Sequence, residues 1–119
     1  MARHNDFGRR GEDIAAGWLA EKGFEILHRN WRHGRSEIDI IAVRQKVYHF
    51  IEIKCSQGDS FGHPEERVGK AKLRRIMRVA AHWLHQRRIP SHHRVQYDVL
   101  AIQFGAGVPE YMLFEDVSL

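Results

Sequence analysis

Two apolar runs, residues 36–43 (SEIDIIAV) and 47–55 (VYHFIEIKC), are separated by three residues, and this pair most constrains what the chain can become. The second run is apolar at nearly every position apart from His49, Glu52 and Lys54, the pattern of a central strand covered on both faces. Charge in such a strand is costly unless something compensates it. The connection Arg44-Gln45-Lys46 predicts a tight hairpin. A loop of even length pairs Val43 with Tyr48 and Asp39 with Glu52, whereas an odd loop sends the two carboxylates to opposite faces. Lys54 follows Glu52 by two positions and therefore shares its face.

The rest of the chain punctuates clearly. Residues 9–22 carry Ile14, Ala15, Trp18 and Leu19 at helical spacing, with Gly23 where a helix C-cap belongs. Residues 24–31 alternate as a strand, and 32–35 turn around Gly34. A loop is expected over 57–64, then a long helix over 65–86 with Leu73, Ile76, Met77, Ala80, Trp83 and Leu84 as its apolar stripe. Arg67, Lys70, Arg74 and Arg78 fall on another face of that helix. Strands over 95–104 and 111–117 follow, joined through Gly105-Ala106-Gly107. No repeat or linker divides the 119 residues, so 1–119 reads as a single α/β domain in the order αβββαββ.

Composition narrows the function classes. Lys and Arg exceed Asp and Glu by 19 to 15, and nine His can add positive charge, which suits a polyanionic partner. No stretch approaches the roughly 20 apolar residues that cross a bilayer, and the N-terminal MARHNDFGRRGED lacks an apolar h-region, so a cytoplasmic protein is expected. Cys55 is the single cysteine and falls on the alternate face from Lys54, which predicts a small buried hydrophobe and not a nucleophile. His82 and His85 have metal-ligand spacing without a third ligand and read as surface or packing residues. The absence of GxxxxGK[ST], GxSxG and GxGxxG argues against a nucleotide hydrolase, an esterase and a dinucleotide enzyme.

Two acids and one ammonium on adjoining strands leave negative charge to be compensated, and a magnesium or manganese ion is the simplest remedy. On that reading Asp39 and Glu52 hold the metal, the backbone carbonyl of Ile53 offers a further oxygen, and Lys54 orients a water or contacts a scissile phosphate. The alternative is a structural ion pair in which Lys54 only neutralises an acid. Glu12 either leans from the first helix toward the metal or merely complements the helix dipole. Glu37 is either a second ligand or a solvated charge. Lys70, Arg74 and Arg78, with Arg87-Arg88 and His92-His93-Arg94, either follow phosphates along a duplex or form a solvated surface.

The ordered set Gly8/Glu12/Ala15, residues 18–24 (WLAEKGF), residues 37–42 (EIDIIA) and residues 50–54 (FIEIK) resembles the bacterial UPF0102 family over most of the chain. That family is similar in turn to archaeal Holliday-junction resolvases and to the PD-(D/E)xK, restriction-endonuclease-like nucleases. The resemblance implies a central mixed five-stranded sheet flanked by helices and a magnesium-dependent endonuclease acting on branched or structured DNA, as a homodimer. It assigns Asp39, Glu52 and Lys54 to the core motif and Glu12 to the helix acid. Lys72 matches a lysine common in the family, placed to reach the site, though a snorkelling surface lysine looks the same in sequence. The chain departs from the family pattern at Ser36, where glycine is usual, and at Ser56, where an arginine is common. The second departure favours a rival reading, a nuclease-like module that binds nucleic acid or protein without cutting.

Overall fold

The computed structural model describes residues 2–57 and 69–117. Two helices and five strands follow one another as α1 (Ala2–Glu21), β1 (Glu25–His33), β2 (Ser36–Arg44), β3 (Val47–Gln57), α2 (Lys70–Gln86), β4 (Val95–Phe104) and β5 (Glu110–Phe114). The order αβββαββ is the one the sequence predicts. All five strands form one sheet in chain order, antiparallel except for the β3/β4 pair, so the sheet is mixed. The parallel pair requires a crossover, and α2 lies within it.

The two helices cover opposite faces, which explains why β3 is apolar on both sides. Ala15 and Leu19 of α1 pack with Ile40, Ala42, Ile51, Leu100 and Ile102. Ile76, Val79, Ala80 and Trp83 of α2 pack with Ile38, Ile41 and Phe50 on the other face. Met77, expected in the α2 stripe, is instead 39% exposed, because it lies one helical step off the line that Ile76, Val79, Ala80 and Trp83 bury.

Element ends shift from the expected ones in ways that have local causes. Helix α1 begins near Ala2 and not at residue 9, since no proline interrupts that stretch. It ends as predicted at Gly23, whose φ of 94° lets the Phe24 N–H reach Leu19 O at 3.0 Å and the Gly23 N–H reach Ala20 O at 3.1 Å. These two bonds, with Phe24 and Leu19 in one cluster, make a Schellman cap. The β5 strand is shorter than the expected 111–117. Most of the predicted 57–64 loop, the first residues of the 65–86 helix and Arg67 lie outside the described residues.

One close approach fixes how α1 sits on β3. A Cβ at Gly11 would lie well inside van der Waals contact with Cys55 Sγ. Gly11→Ala is therefore expected to lower stability by about 1 kcal/mol, because an overpacking cost of about 1–3 kcal/mol exceeds the helix-propensity gain. In a Cys55→Ala background the same change should raise the melting temperature. Thermal unfolding of the two single variants and the double variant checks this, and identical responses in both backgrounds would contradict it.

At the far end of the sheet, β3 and β4 bury a polar pair. His49 Nδ1 and Asp98 Oδ2 are 2.6 Å apart, and both residues are 2% exposed. Asp98 Oδ1 also accepts the Asp116 N–H at 2.9 Å, while the Val117 N–H reaches Tyr97 O at 2.7 Å. The segment after β5 is thereby tied to β4.

Candidate metal centre

The site begins with the β2/β3 hairpin. Gln45 and Lys46 both have positive φ, 52° and 67°, the type I′ geometry whose twist matches the flanking strands. This two-residue turn gives the even register, with Val43 opposite Tyr48 and Arg44 opposite Val47. Extended further, that register sets Asp39 opposite Glu52, but the ladder stops at Ile40 and Ile51. Beyond it, Asp39 Oδ2 accepts the Ile53 N–H at 2.8 Å, so a side chain replaces the missing backbone partner.

The same residue marks a break in alternation. Ile38 packs on the α2 side and Ile40 on the α1 side, although residues two apart in a regular strand share a face. Opposite Asp39, the β1/β2 ladder passes from Arg29–Ile40 to Trp31–Ile38 and skips Asn30, whose φ is 54°. Asparagine tolerates this left-handed conformation better than most residues. Asp39 thus points along the seam between β2 and β3, where groups from both sheet faces reach it.

From the α1 side comes Glu12. One carboxylate oxygen from each of Glu12, Glu37 and Asp39 lies within 4.8 Å of the others, and all three residues are half-buried. Glu12 Oε1 accepts a hydrogen bond from Asn30 Nδ2 at 2.8 Å, and Glu37 pairs with Arg32 at 3.1 Å. Burial and the neighbouring acids act together on Asp39. Burial, then the Glu52 carboxylate, and to a lesser extent Glu12 and Glu37 push its carboxyl up to about 7, against the lowering effect of the Ile53 N–H. Burial, with the negative charge of Asp39 and Glu12, also raises the Cys55 thiol, in keeping with an inert cysteine.

A raised carboxyl favours the protonated folded state. Its contribution to stability is present below about 4, where the unfolded chain is also protonated, and is lost as the pH climbs through about 7. Unfolding in the presence of a chelator should accordingly show a loss on the order of 1–3 kcal/mol between pH 4 and 8 from this residue. Adding a divalent cation at pH 8 should restore it. Comparing wild type with Asp39→Asn isolates the effect, and parallel pH profiles for the two proteins would rule it out.

On the α2 side, Glu37, Asp39 and Glu52 open into a pocket of about 290 Å³ whose other walls include Arg35, Ser36, Lys72, Arg75 and Ile76. Glu52 Oε2 is held by Lys72 Nζ at 2.7 Å. The structure therefore groups Asp39 with Glu12 and Glu37 as the closest oxygen set, while Glu52 stands beside that set with a lysine partner. Ile53 contributes its N–H to Asp39 and packs its side chain toward α1. Lys54 is exposed on the Glu52 face of β3. Lys72 lines the pocket, but Lys70, Arg74 and Arg78, four residues apart, share an exposed stripe away from the buried Ile76 and Val79. Arg35 and Arg75 are the wall residues that sequence reasoning missed. The available signal was the three-residue spacing from Lys72 to Arg75, which sets both on one helical face. His82, set aside as a ligand, stacks its ring on His33 at 3.6 Å.

No helix among the described residues is long and apolar enough to cross a membrane. A family model described as uncharacterised protein family UPF0102 matches residues 11–102, which contain every acid of the site. A UPF0102 protein of Rhodococcus opacus is 43% identical over 109 residues, covering 90% of each chain. One from Phocaeicola vulgatus is 38% identical over 102 residues, covering 86% of this chain and 83% of its own. Another, from Clostridium perfringens, is 35% identical over 114 residues, with 95% and 93% covered. With a matching family model and relatives this similar along nearly their whole lengths, the chain belongs to the UPF0102 family.

Proposed function

We propose that the protein is a magnesium-dependent endonuclease that hydrolyses phosphodiester bonds in branched or structured DNA, with manganese able to replace magnesium. The observation that carries this reading is the convergence of Glu12, Glu37 and Asp39 at an opened strand seam, beside a pocket that also presents Glu52, Lys72 and two arginines. Carboxylates this close repel one another, and oxygen donors in this number suit a hard divalent cation. Asp39, Glu12 and Glu37 would hold the ion, with Glu52 and the Ile53 carbonyl as further oxygens. When bound, magnesium supplies a Lewis acid that offsets charge gathering on the phosphoryl oxygens and makes a nearby water more acidic.

The chain's own groups do the rest. The Ile53 N–H fixes the Asp39 carboxylate against the strand. Lys54 and Lys72 donate to phosphate oxygens, and Glu52, once Lys72 turns to phosphate, orients the attacking water. The exposed stripe of Lys70, Arg74 and Arg78 extends phosphate contact along the duplex. Two strands of a branched substrate require two such centres, so a symmetric homodimer completes the reading.

Incubation of labelled four-way junction, flap, duplex and single-stranded DNA with magnesium or manganese tests it. Cleavage that a chelator stops is expected, greatest on junction or flap. Metal-dependent binding without any cutting would instead support a non-catalytic nucleic-acid-binding module, the reading favoured by Ser56 in place of the family's arginine. Neither binding nor cutting at low salt would defeat both.

A further inference from the structure

The pocket carries both signs of charge. Its acids, Glu37, Asp39 and Glu52, are matched by three cations, Arg35, Lys72 and Arg75. These cations are not equivalent. Lys72 is committed to Glu52 at 2.7 Å, whereas neither Arg35 nor Arg75 makes an ion pair among the described residues, although both stand in the same pocket as three carboxylates. They also come from different elements. Arg35 occupies the second position of the two-residue turn between β1 and β2, where Gly34 takes φ 64° in the first, and Arg75 lies on α2.

Two guanidinium groups without an ion pair among the described residues, carried into one pocket by different elements, are placed to grip an anion entering from outside. A guanidinium presents a planar fork of donors that fits two oxygens of one phosphate, which an ammonium cannot do. We propose that Arg35 and Arg75 clamp a backbone phosphate next to the one being cleaved, so that the site accepts a phosphate flanked by another along a nucleic-acid strand. This specificity rests on the nuclease reading above. Lys72 then serves the scissile phosphate while the arginines set the strand's position relative to the acids.

The test is binding of a short labelled DNA duplex to the full chain by fluorescence anisotropy over a salt series, with calcium present so that no turnover intervenes. Manganese binding by calorimetry runs in parallel. Arg35→Ala/Arg75→Ala is expected to weaken duplex binding by about tenfold or more and to reduce the salt slope by about two. Its manganese affinity should stay within about twofold of wild type, which excludes a merely misfolded site. Arg35→Lys/Arg75→Lys should restore the salt slope without restoring full affinity, because charge is kept and the fork is lost. Wild-type affinity and slope in the alanine variant, in a protein that otherwise binds and cuts DNA, would overturn the clamp and leave the nuclease reading intact. Full recovery of affinity in the lysine variant would also overturn it. If wild type neither binds nor cuts, both readings fall together.

Discussion

Asp39→Asn is expected to abolish metal-dependent cleavage while making the metal-free protein more stable above pH 7. The two effects have one source. The Asp39 carboxylate sits half-buried among Glu12, Glu37 and Glu52, which is unfavourable until a cation arrives. Asparagine keeps an oxygen for the Ile53 N–H, so the side-chain bridge across the opened seam is preserved. It removes the charge that repels its neighbours. The gain at pH 8 should be about 1–3 kcal/mol, or roughly 4 °C or more in melting temperature for a chain this size. At pH 4 the gain should vanish, because wild-type Asp39 is then protonated as well. Cleavage should fall about a hundredfold or more, as when one preorganised electrostatic contact is lost from a reacting centre. A variant that is less stable than wild type at pH 8, or that still cuts at the wild-type rate, contradicts this account of the site.

The largest loss of stability is expected at a residue outside the site. Asp98→Ala removes both oxygens of a buried carboxylate, one facing His49 Nδ1 and the other accepting the Asp116 N–H. Removing the carboxylate from the buried His49 ring and from the half-buried Asp116 N–H costs about 1–3 kcal/mol each, so a loss of about 2–6 kcal/mol follows. Total stabilities of domains run to about 5–15 kcal/mol, which makes this a large share. Asp98→Asn can still serve the Asp116 N–H through its amide oxygen and should cost much less. Chemical denaturation of the two variants separates these outcomes. Equal losses for alanine and asparagine would show that the negative charge itself, and not the pair of hydrogen bonds, matters.

The two differ in how visible they were in sequence. The order of elements and the Gly23 cap follow from periodicity and local turn signals, whereas the sequence left the β2/β3 loop open between even and odd, and only the left-handed pair Gln45-Lys46 with Arg44 opposite Val47 decides it. That Asp39 leaves the ladder does not follow from them. It depends on the left-handed Asn30 in another strand and on the rotation that separates Ile38 from Ile40. Glu37 could not be chosen as a site residue or dismissed from sequence, because its nearness to Glu12 is set by how α1 crosses the sheet. Lys72 on Glu52 likewise reflects the placement of α2. The pairing of His49 with Asp98 spans a parallel crossover, and short-range patterns carry no trace of it. His49 was visible only as a polar interruption in an apolar run.

The two-residue joint between β2 and β3 has an evolutionary corollary. A connection that short has no slack, so inserting or deleting one amino acid there would turn every following side chain of β3 inside out and carry Glu52 and Lys54 to the face now held by Ile51 and Ile53. Length variation has to be absorbed at looser joints, such as residues 105–109 between β4 and β5. The spacing from Asp39 to Glu52 is therefore held by parity, whatever side chains stand at its two ends.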